Sequence, residues 1–552
     1  MAQTFDFIIV GAGSAGCVLA DKLTASGRYN VLLIEAGGTD RRFWIKVPVG
    51  YGFTFSNPAV NWRYSAAADP GLNGREAYWP RGKVLGGSSS INAMAYVRGL
   101  PHDFDDWEAA GATGWGWETV RRGYEALESN DEWHQGRRRL RGTGPVRVTD
   151  LSERMHPFTR NFLAAGQEMG WPVLPDMNGP ADTGANTLPS EGMGYVRSTV
   201  KGGRRWSSAD AFLRPAMRRG NLTVVSGALV EKVLTAGGRA TGVAYRVKGQ
   251  TQLATAAREV ILSAGAVNSP QLLQLSGIGP AALLQRHGIA VKHDLPQVGR
   301  GLQDHLAVSH FFWANTATLN DRLGSFAGQM KAGLQYVLSR KGPLSVPVNQ
   351  CSGFVRSQGA ALPDVQVYCN PASYSTRPSG KPQIDRDNGF LLCVQPGRPT
   401  SRGQIAIQSA DPAQPPRIEP NSLATDEDKA TAVRASRLLQ ALAAVPAINR
   451  VTRERRAPDI LEMDDAALLE NFRNRAGSVF HASCTCRMGR EASDSVLDAR
   501  LRVHGMAGLR VIDASAFPNI TSGNTNAPTM MLAARAADLV LEDNKNRPLA
   551  AE

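Results

Sequence analysis

The sequence predicts an α/β fold, with a doubly wound, dinucleotide-binding unit at its amino terminus and a mostly antiparallel region further on. Three observations predict it. Residues 5–10 (FDFIIV) form a β-rich run that leads into Gly11, Gly13 and Gly16, then a helical stretch over 17–25, then an apolar run over 31–34 that ends on Glu35. A later run at 222–225 reads as a strand, and one at 259–262 as a further, buried strand of that sheet. Runs at 365–368, 389–394 and 404–407 are separated by turns, which suits antiparallel strands.

Within the first unit each glycine has a separate task. Gly11 permits a tight turn, Gly13 lets the backbone approach a pyrophosphate, and Gly16 lets helix and strand pack closely. Ser14 and Ala15 complete the loop. Glu35, followed by Ala36, falls near the roughly 20-residue offset at which an acid meets a ribose hydroxyl. The pattern alone does not separate NAD from FAD, although its place at the extreme amino terminus favours FAD.

Composition narrows the setting. At 552 residues the chain is long enough for two domains or one large elaborated one. Hydrophobic residues at 42% and charged residues at 20% describe a soluble globular protein rather than a disordered one. The 56 glycines and 32 prolines imply many tight turns. No apolar run approaches the roughly 20 residues of a membrane span, and residues 5–10 read as a strand rather than a leader. Six scattered cysteines make no disulfide framework, so a reducing cytoplasm is expected, with the inner face of a membrane as a peripheral alternative. The net charge of +13 suits anionic partners, but no aromatic-interleaved basic repeat points to nucleic acid. Arg137, Arg138 and Arg139, and Arg204 with Arg205, read as short clusters in loops.

A second glycine cluster follows: Pro80, Arg81, Gly82, Lys83, Val84, Leu85, Gly86, Gly87, Ser88, Ser89, Ser90, Ile91, Asn92, Ala93, Met94. Its small side chains and free N–H groups keep nothing bulky off a flat ring. With Trp62 upstream, Arg98-Gly99 downstream, Ser263-Ala264-Gly265-Ala266, Gly277-Ile278-Gly279-Pro280 and the segment around His481, the chain resembles the glucose–methanol–choline (GMC) family of FAD oxidoreductases. Its choline-dehydrogenase-like alcohol dehydrogenase branch is the nearest. The resemblance runs nearly end to end, in the family's order.

The resemblance implies a set of FAD contacts. Arg81, Lys83, Leu85, Gly86, Gly87, Ser88, Asn92, Ala93 and Met94 would lie along the flavin and pyrophosphate. Val230 would sit beside the adenine, and Asp513 with Ala514 along the ribityl–phosphate chain. Asn526 and Pro528 would lie against the flavin, and Trp62, Ala264 and Gly265 belong to the same set. Some relatives link the flavin covalently through a His in the second cluster; Ile91 stands there, so noncovalent FAD is expected. The family also implies a discontinuous cofactor domain (1–150, 197–310 and 474–552) and a discontinuous α+β substrate domain (151–196 and 311–473).

An alcohol gives up a hydride readily only if its hydroxyl proton leaves too, which calls for a base and a donor to hold the alkoxide. Imidazole titrates near working pH, and an amide donates without adding a titrating group. The family's active-site pair maps onto His481 and Asn524. The expected reaction is oxidation of a primary alcohol, or of an aldehyde hydrate, with electrons leaving to a quinone or another non-oxygen acceptor. An oxidase that uses oxygen, and a non-redox hydroxynitrile lyase, are the alternatives. A helix expected from about residue 528 would aim its positive end at the reduced flavin.

Other residues take plainer readings. His305 is expected to be structural, satisfied by its neighbour Asp304. Gly301 stands where relatives usually carry Asn. Cys484 and Cys486 lack the further ligands a zinc site needs, so no metal is expected. Trp107, Trp115 and Trp117 read as packing. A strong helix is expected over 426–444, stopped near Pro446. Residues 374–387 read as a polar loop.

Overall fold

The computed structural model describes residues 3–134, 137–179, 191–376 and 382–546. A seven-stranded sheet organises the first half of the molecule. Strand β1 (Gln3–Val10) pairs in parallel with β2 (Val31–Glu35) on one side and β3 (Gln250–Leu262) on the other. Leu222–Ser226 extends the sheet beyond β2, and β4 (Leu509–Val511) pairs in parallel with the end of β3. Phe7, Ile8 and Ile9 are all fully buried, because helices cover both faces of this parallel core. Truncating Ile8 to Ala would cost about 2–5 kcal/mol on that account.

Helix α1 (Ser14–Thr24) joins β1 to β2 and buries Cys17, Val18, Leu19, Ala20 and Leu23. Helix α2 (Gly265–Leu275) follows β3 directly, and α3 (Asn526–Asn544) packs beside α1. A buried, bidentate ion pair between Arg510 on β4 and Glu259 on β3 fastens the carboxy-terminal part of the chain to this sheet. The loops at the carboxyl ends of β1, β2, β3 and β4 therefore open on one edge, where α/β sheets bind ligands.

One expectation needs correction here. The run at 259–262 is not a separate strand. Residues 250–262 form one strand whose first half pairs antiparallel with Arg239–Val247 and whose second half joins β1. The antiparallel hairpin is thus continuous with the nucleotide sheet.

An eight-stranded sheet organises the second region, in the order Thr452–Arg455, Leu306–Ala314, Gly389–Pro396, Val365–Asn370, Cys351–Val355, Gly192–Tyr195 and Val173–Leu174, with Gly477–Ser478 beside Leu306–Ala314. All its pairings are antiparallel except the last of the main run. Asp426–Ala444 lies against it, capped by the Thr425 hydroxyl. Gly403–Ala406 does not belong to it; it pairs with Arg300–Leu302 and Arg417–Glu419 in a small sheet of its own.

The basic clusters are not loops. Arg137–Arg141 is a strand paired with Glu128–His134, and Arg204–Arg205 forms a hairpin with Val200–Lys201. Part of the supposed polar loop is also paired: Tyr374–Thr376 bonds to Pro382–Ile384, while 377–381 lie outside the described residues. Trp107 and Trp115 are fully buried, and Trp117 packs against the same core.

Candidate active site

One cavity of about 780 Å³ runs from the Gly11 loop to His481 and Asn524. That is the size range of cofactor sites. Its wall includes Gly11, Gly13, Ser14, Ala15, Glu35, Ala36, Trp62, Arg81, Gly87, Ser88, Asn92, Ala93, Met94, Val230, Ala264, Gly265, Asp513, Ala514 and Asn526. Five predicted contacts stand behind the wall instead. Gly16 faces the Gly11 carbonyl so closely that a Cβ would lie 1.8 Å from it. Gly86 donates its N–H to the Ala12 carbonyl, and Leu85 donates to Gly38. The Lys83 ammonium sits 4.4 Å from the centre of the Trp62 ring. Pro528 is buried in the first turn of α3.

The loop after β1 is held in shape by its own backbone. Gly11 has φ +100°, and a Cβ there would meet the Ser263 carbonyl oxygen at 2.5 Å. Glu35 ends β2 fully inside, where its two oxygens accept the N–H groups of Ala12 and Gly37. Burial pushes its pKa up to about 7. Asp513 is equally engaged, taking hydrogen bonds from Gly265 N–H, Ser269 hydroxyl and Ser515 N–H. Ser14 donates to Asn526, tying the nucleotide loop to the start of α3. α3 has no side-chain hydrogen bond at its N-cap, and its first turn lines the cavity through Asn526 and Thr529, beside Asn524 and Thr525.

These features fit a flavin dinucleotide. The cavity is long enough to join the nucleotide loop to the His481 segment. The Arg81 guanidinium lines it with Nη2 buried and unpaired, while Nη1 is spent on the Phe480 and Pro80 carbonyls. Such a donor is costly unless something in the cavity accepts from it. Ile91, on the wall, is a hydrocarbon and forms no bond to a flavin.

At the other end the side chains form a directed chain of hydrogen bonds. His305 Nε2 lies 2.9 Å from the Gly397 carbonyl, which can only accept. That fixes the proton of His305 on Nε2 and leaves its Nδ1 as an acceptor. His481 Nδ1 lies 3.0 Å from it, so His481 carries its own proton on Nδ1. His481 Nε2 is then the lone pair, 3.1 Å from Asn524 Nδ2. The Tyr368 hydroxyl, 3.4 Å from Asn524 Oδ1, orients the amide the same way.

Both imidazoles are held neutral. Burial pushes the His305 pKa down to about 4. Burial, then His305 and Arg81, hold His481 well below the ordinary imidazole value. Asp304 does not serve the His305 ring, which corrects the sequence expectation. It accepts the backbone N–H of His481 at 2.7 Å and the Ser478 hydroxyl. Its contact with His305 is to the backbone N–H, not to the ring. Phe480, next to His481, lines the cavity with φ +71°, a strained conformation for a bulky residue.

Sequence reasoning missed Tyr368, which had no motif, and gave His305 no active-site role. It also missed the part played by Arg205. That guanidinium is buried and bonds to the carbonyls of Ile45, Ser89 and Asn92 and to the Asn92 side chain, bracing the second glycine cluster from behind. Cys484 and Cys486 are both buried in the apolar core.

Comparison with known proteins agrees over nearly the whole chain. Family profiles described as GMC oxidoreductase match residues 5–307 and 399–533. An oxygen-dependent choline dehydrogenase of Photobacterium profundum is 42% identical, covering 99% of this chain and 95% of its own. An alcohol dehydrogenase [acceptor] of Pseudomonas putida is 40% identical, covering 97% and 96%. Among solved structures, the pyridoxine 4-oxidase from Mesorbium loti superposes with a TM-score of 0.85 at 28% identity, over 97% of this chain and 98% of that one.

Proposed function

The chain belongs to the GMC oxidoreductase family, and from that premise we propose that it is an FAD-dependent dehydrogenase of neutral primary alcohols. The observation that carries this reading is the chain from Gly397 through His305 to His481, which leaves one imidazole lone pair facing the cavity beside an amide donor. FAD, held by the nucleotide loop and the second glycine cluster, would supply the hydride acceptor, with a quinone or another non-oxygen compound as the final electron acceptor.

The residues do the rest. A substrate hydroxyl placed between Asn524 and His481 takes over the existing hydrogen bond between them. His481 Nε2 receives the hydroxyl proton, and Asn524 Nδ2 holds the oxygen as its charge grows. Desolvation strengthens both contacts, because the site is closed in by Phe55, Tyr368 and Phe480. The α3 amino terminus adds positive potential. Noncovalent attachment follows from Ile91. We assign the cofactor to residues 1–150, 197–310 and 474–552, and the substrate walls to 151–196 and 311–473.

Charge selects the substrate class. Among the described residues the cavity wall carries two carboxylates, Glu35 and Asp513, and both are satisfied by the protein at the nucleotide end. The walls near His481 are aromatic, aliphatic and amide, and the charge beside them is the Arg81 cation. A quaternary ammonium alcohol would find no counter-ion there, although most of the similar relatives are named choline dehydrogenases.

The test is anaerobic mixing of the yellow holoprotein with an alcohol panel. A neutral primary alcohol should bleach the flavin, and do so at higher kcat/KM than choline. No bleaching across the panel would remove the dehydrogenase reading. Stoichiometric peroxide at full rate in air without added acceptor would convert it to an oxidase.

A further inference from the structure

The helix Phe326–Ser339 carries its apolar face outward. Phe326 is 79% exposed, Met330 60%, Leu334 62%, Val337 56% and Leu338 76%. At helical spacing these five fall on one side. Only Ala332 and Tyr336 are buried beneath the helix, and Tyr336 anchors it by donating to the Gly203 carbonyl at 3.0 Å. Ser325 caps its start, so the segment is an ordered helix and not a frayed one.

Buried Tyr336, beneath the helix, links it to a second exposed group, an aromatic cluster at the cavity. Tyr336 has the exposed ring of Phe43 at 6.5 Å, Phe43 meets Trp44 at 5.0 Å, and Trp44 stacks on Phe53 at 4.2 Å. Phe53 is itself a wall residue of the cavity. Two exposed apolar groups joined by one buried ring are rare in a protein that meets only water.

Charge says what covers it. The segments 40–53, 200–206 and 318–342 expose Arg41, Arg42, Lys201, Arg204, Arg322, Lys331, Arg340 and Lys341; Asp321 is their one exposed carboxylate. An outward apolar helix, ringed by cations and flanked by Trp and Phe, is the pattern of a segment lying in a bilayer interface. A second copy of a chain with net charge +13 would bring the same cations against themselves. No helix among the described residues is long and apolar enough to cross a membrane, so the contact is with the surface.

We propose that the Phe326–Ser339 helix and the Phe43–Trp44–Phe53 cluster dock this protein on an anionic lipid bilayer, with the cavity mouth at the lipid boundary. A lipophilic substrate or acceptor then reaches the cavity along the apolar track. This inference does not depend on which alcohol is oxidised.

Holoprotein should co-sediment with phosphatidylcholine vesicles that contain about one third phosphatidylserine, and less so as salt rises. The triple variant Phe326→Gln, Leu334→Gln, Leu338→Gln should lose at least roughly tenfold in partition coefficient. Its turnover of a water-soluble alcohol should match the parent, since none of the three lines the cavity. Absence of binding by the parent at low salt, or equal binding by parent and variant, overturns the proposal. So does a parent that self-associates while the variant is monomeric and neither binds vesicles, which would make the patch an interface between copies.

Discussion

Replacing His305 with Phe tests the polarity of the hydrogen-bond chain. The substitution keeps a ring in a buried site but removes the acceptor for His481 Nδ1–H, now 3.0 Å away. A buried N–H left without a partner costs about 1–3 kcal/mol. That cost falls on the one tautomer that offers Nε2 as a lone pair, so its population drops by roughly 5- to 150-fold, and kcat/KM with it. His305→Asn restores an acceptor near the Nδ1 position and should recover most of the loss. A second readout separates positioning from folding. His305 is one of the groups holding the His481 pKa down. Without it, the acid limb of kcat/KM should move to higher pH. Assays at matched flavin content would check both. A His305→Phe enzyme with parental kcat/KM and an unshifted acid limb would refute the reasoning.

Three further outcomes follow. Asn524→Ala should lower kcat roughly 10- to 100-fold with flavin still bound, since it removes the oxygen donor and not the base; steady-state kinetics checks it, and unchanged kcat would contradict it. Gly87→Ala should impair flavin retention and lower stability by about 1–3 kcal/mol, because the new Cβ would lie 2.6 Å from Gly13 Cα at φ +52°; absorbance per protein and thermal melts report it. Acid should destabilise the fold through His305, whose folded pKa of about 4 lies below its unfolded value near 6.5. Its contribution is complete above about pH 6.5 and falls by about 3 kcal/mol as pH drops to 4. Urea melts should show a shallower pH dependence in His305→Asn.

Local signals carried much of this molecule. Glycines at fixed spacing after an apolar run announce themselves, because turn geometry and close packing admit no other residue at Gly11 or Gly16. The pairing of Asn524 with His481 was legible through family resemblance, not through spacing. What escaped was mostly long-range. Arg205 looks like one more surface cation until the fold buries it against carbonyls more than a hundred residues earlier. Tyr368 is one residue of a buried strand and meets Asn524 only through sheet packing. His305 is hydrogen-bonded as expected, but its ring's partners are Gly397 and His481 and not the neighbouring Asp304. Only the end of the strand Gln250–Leu262 was read as part of the nucleotide sheet, because its halves serve opposite pairing senses.

The central claim is that His481 takes the proton of a bound alcohol. Rapid anaerobic mixing of His481→Ala holoprotein with the best alcohol measures it directly. Flavin bleaching should slow by at least roughly 10²-fold while the cofactor stays bound. Bleaching at the parental rate would contradict the account.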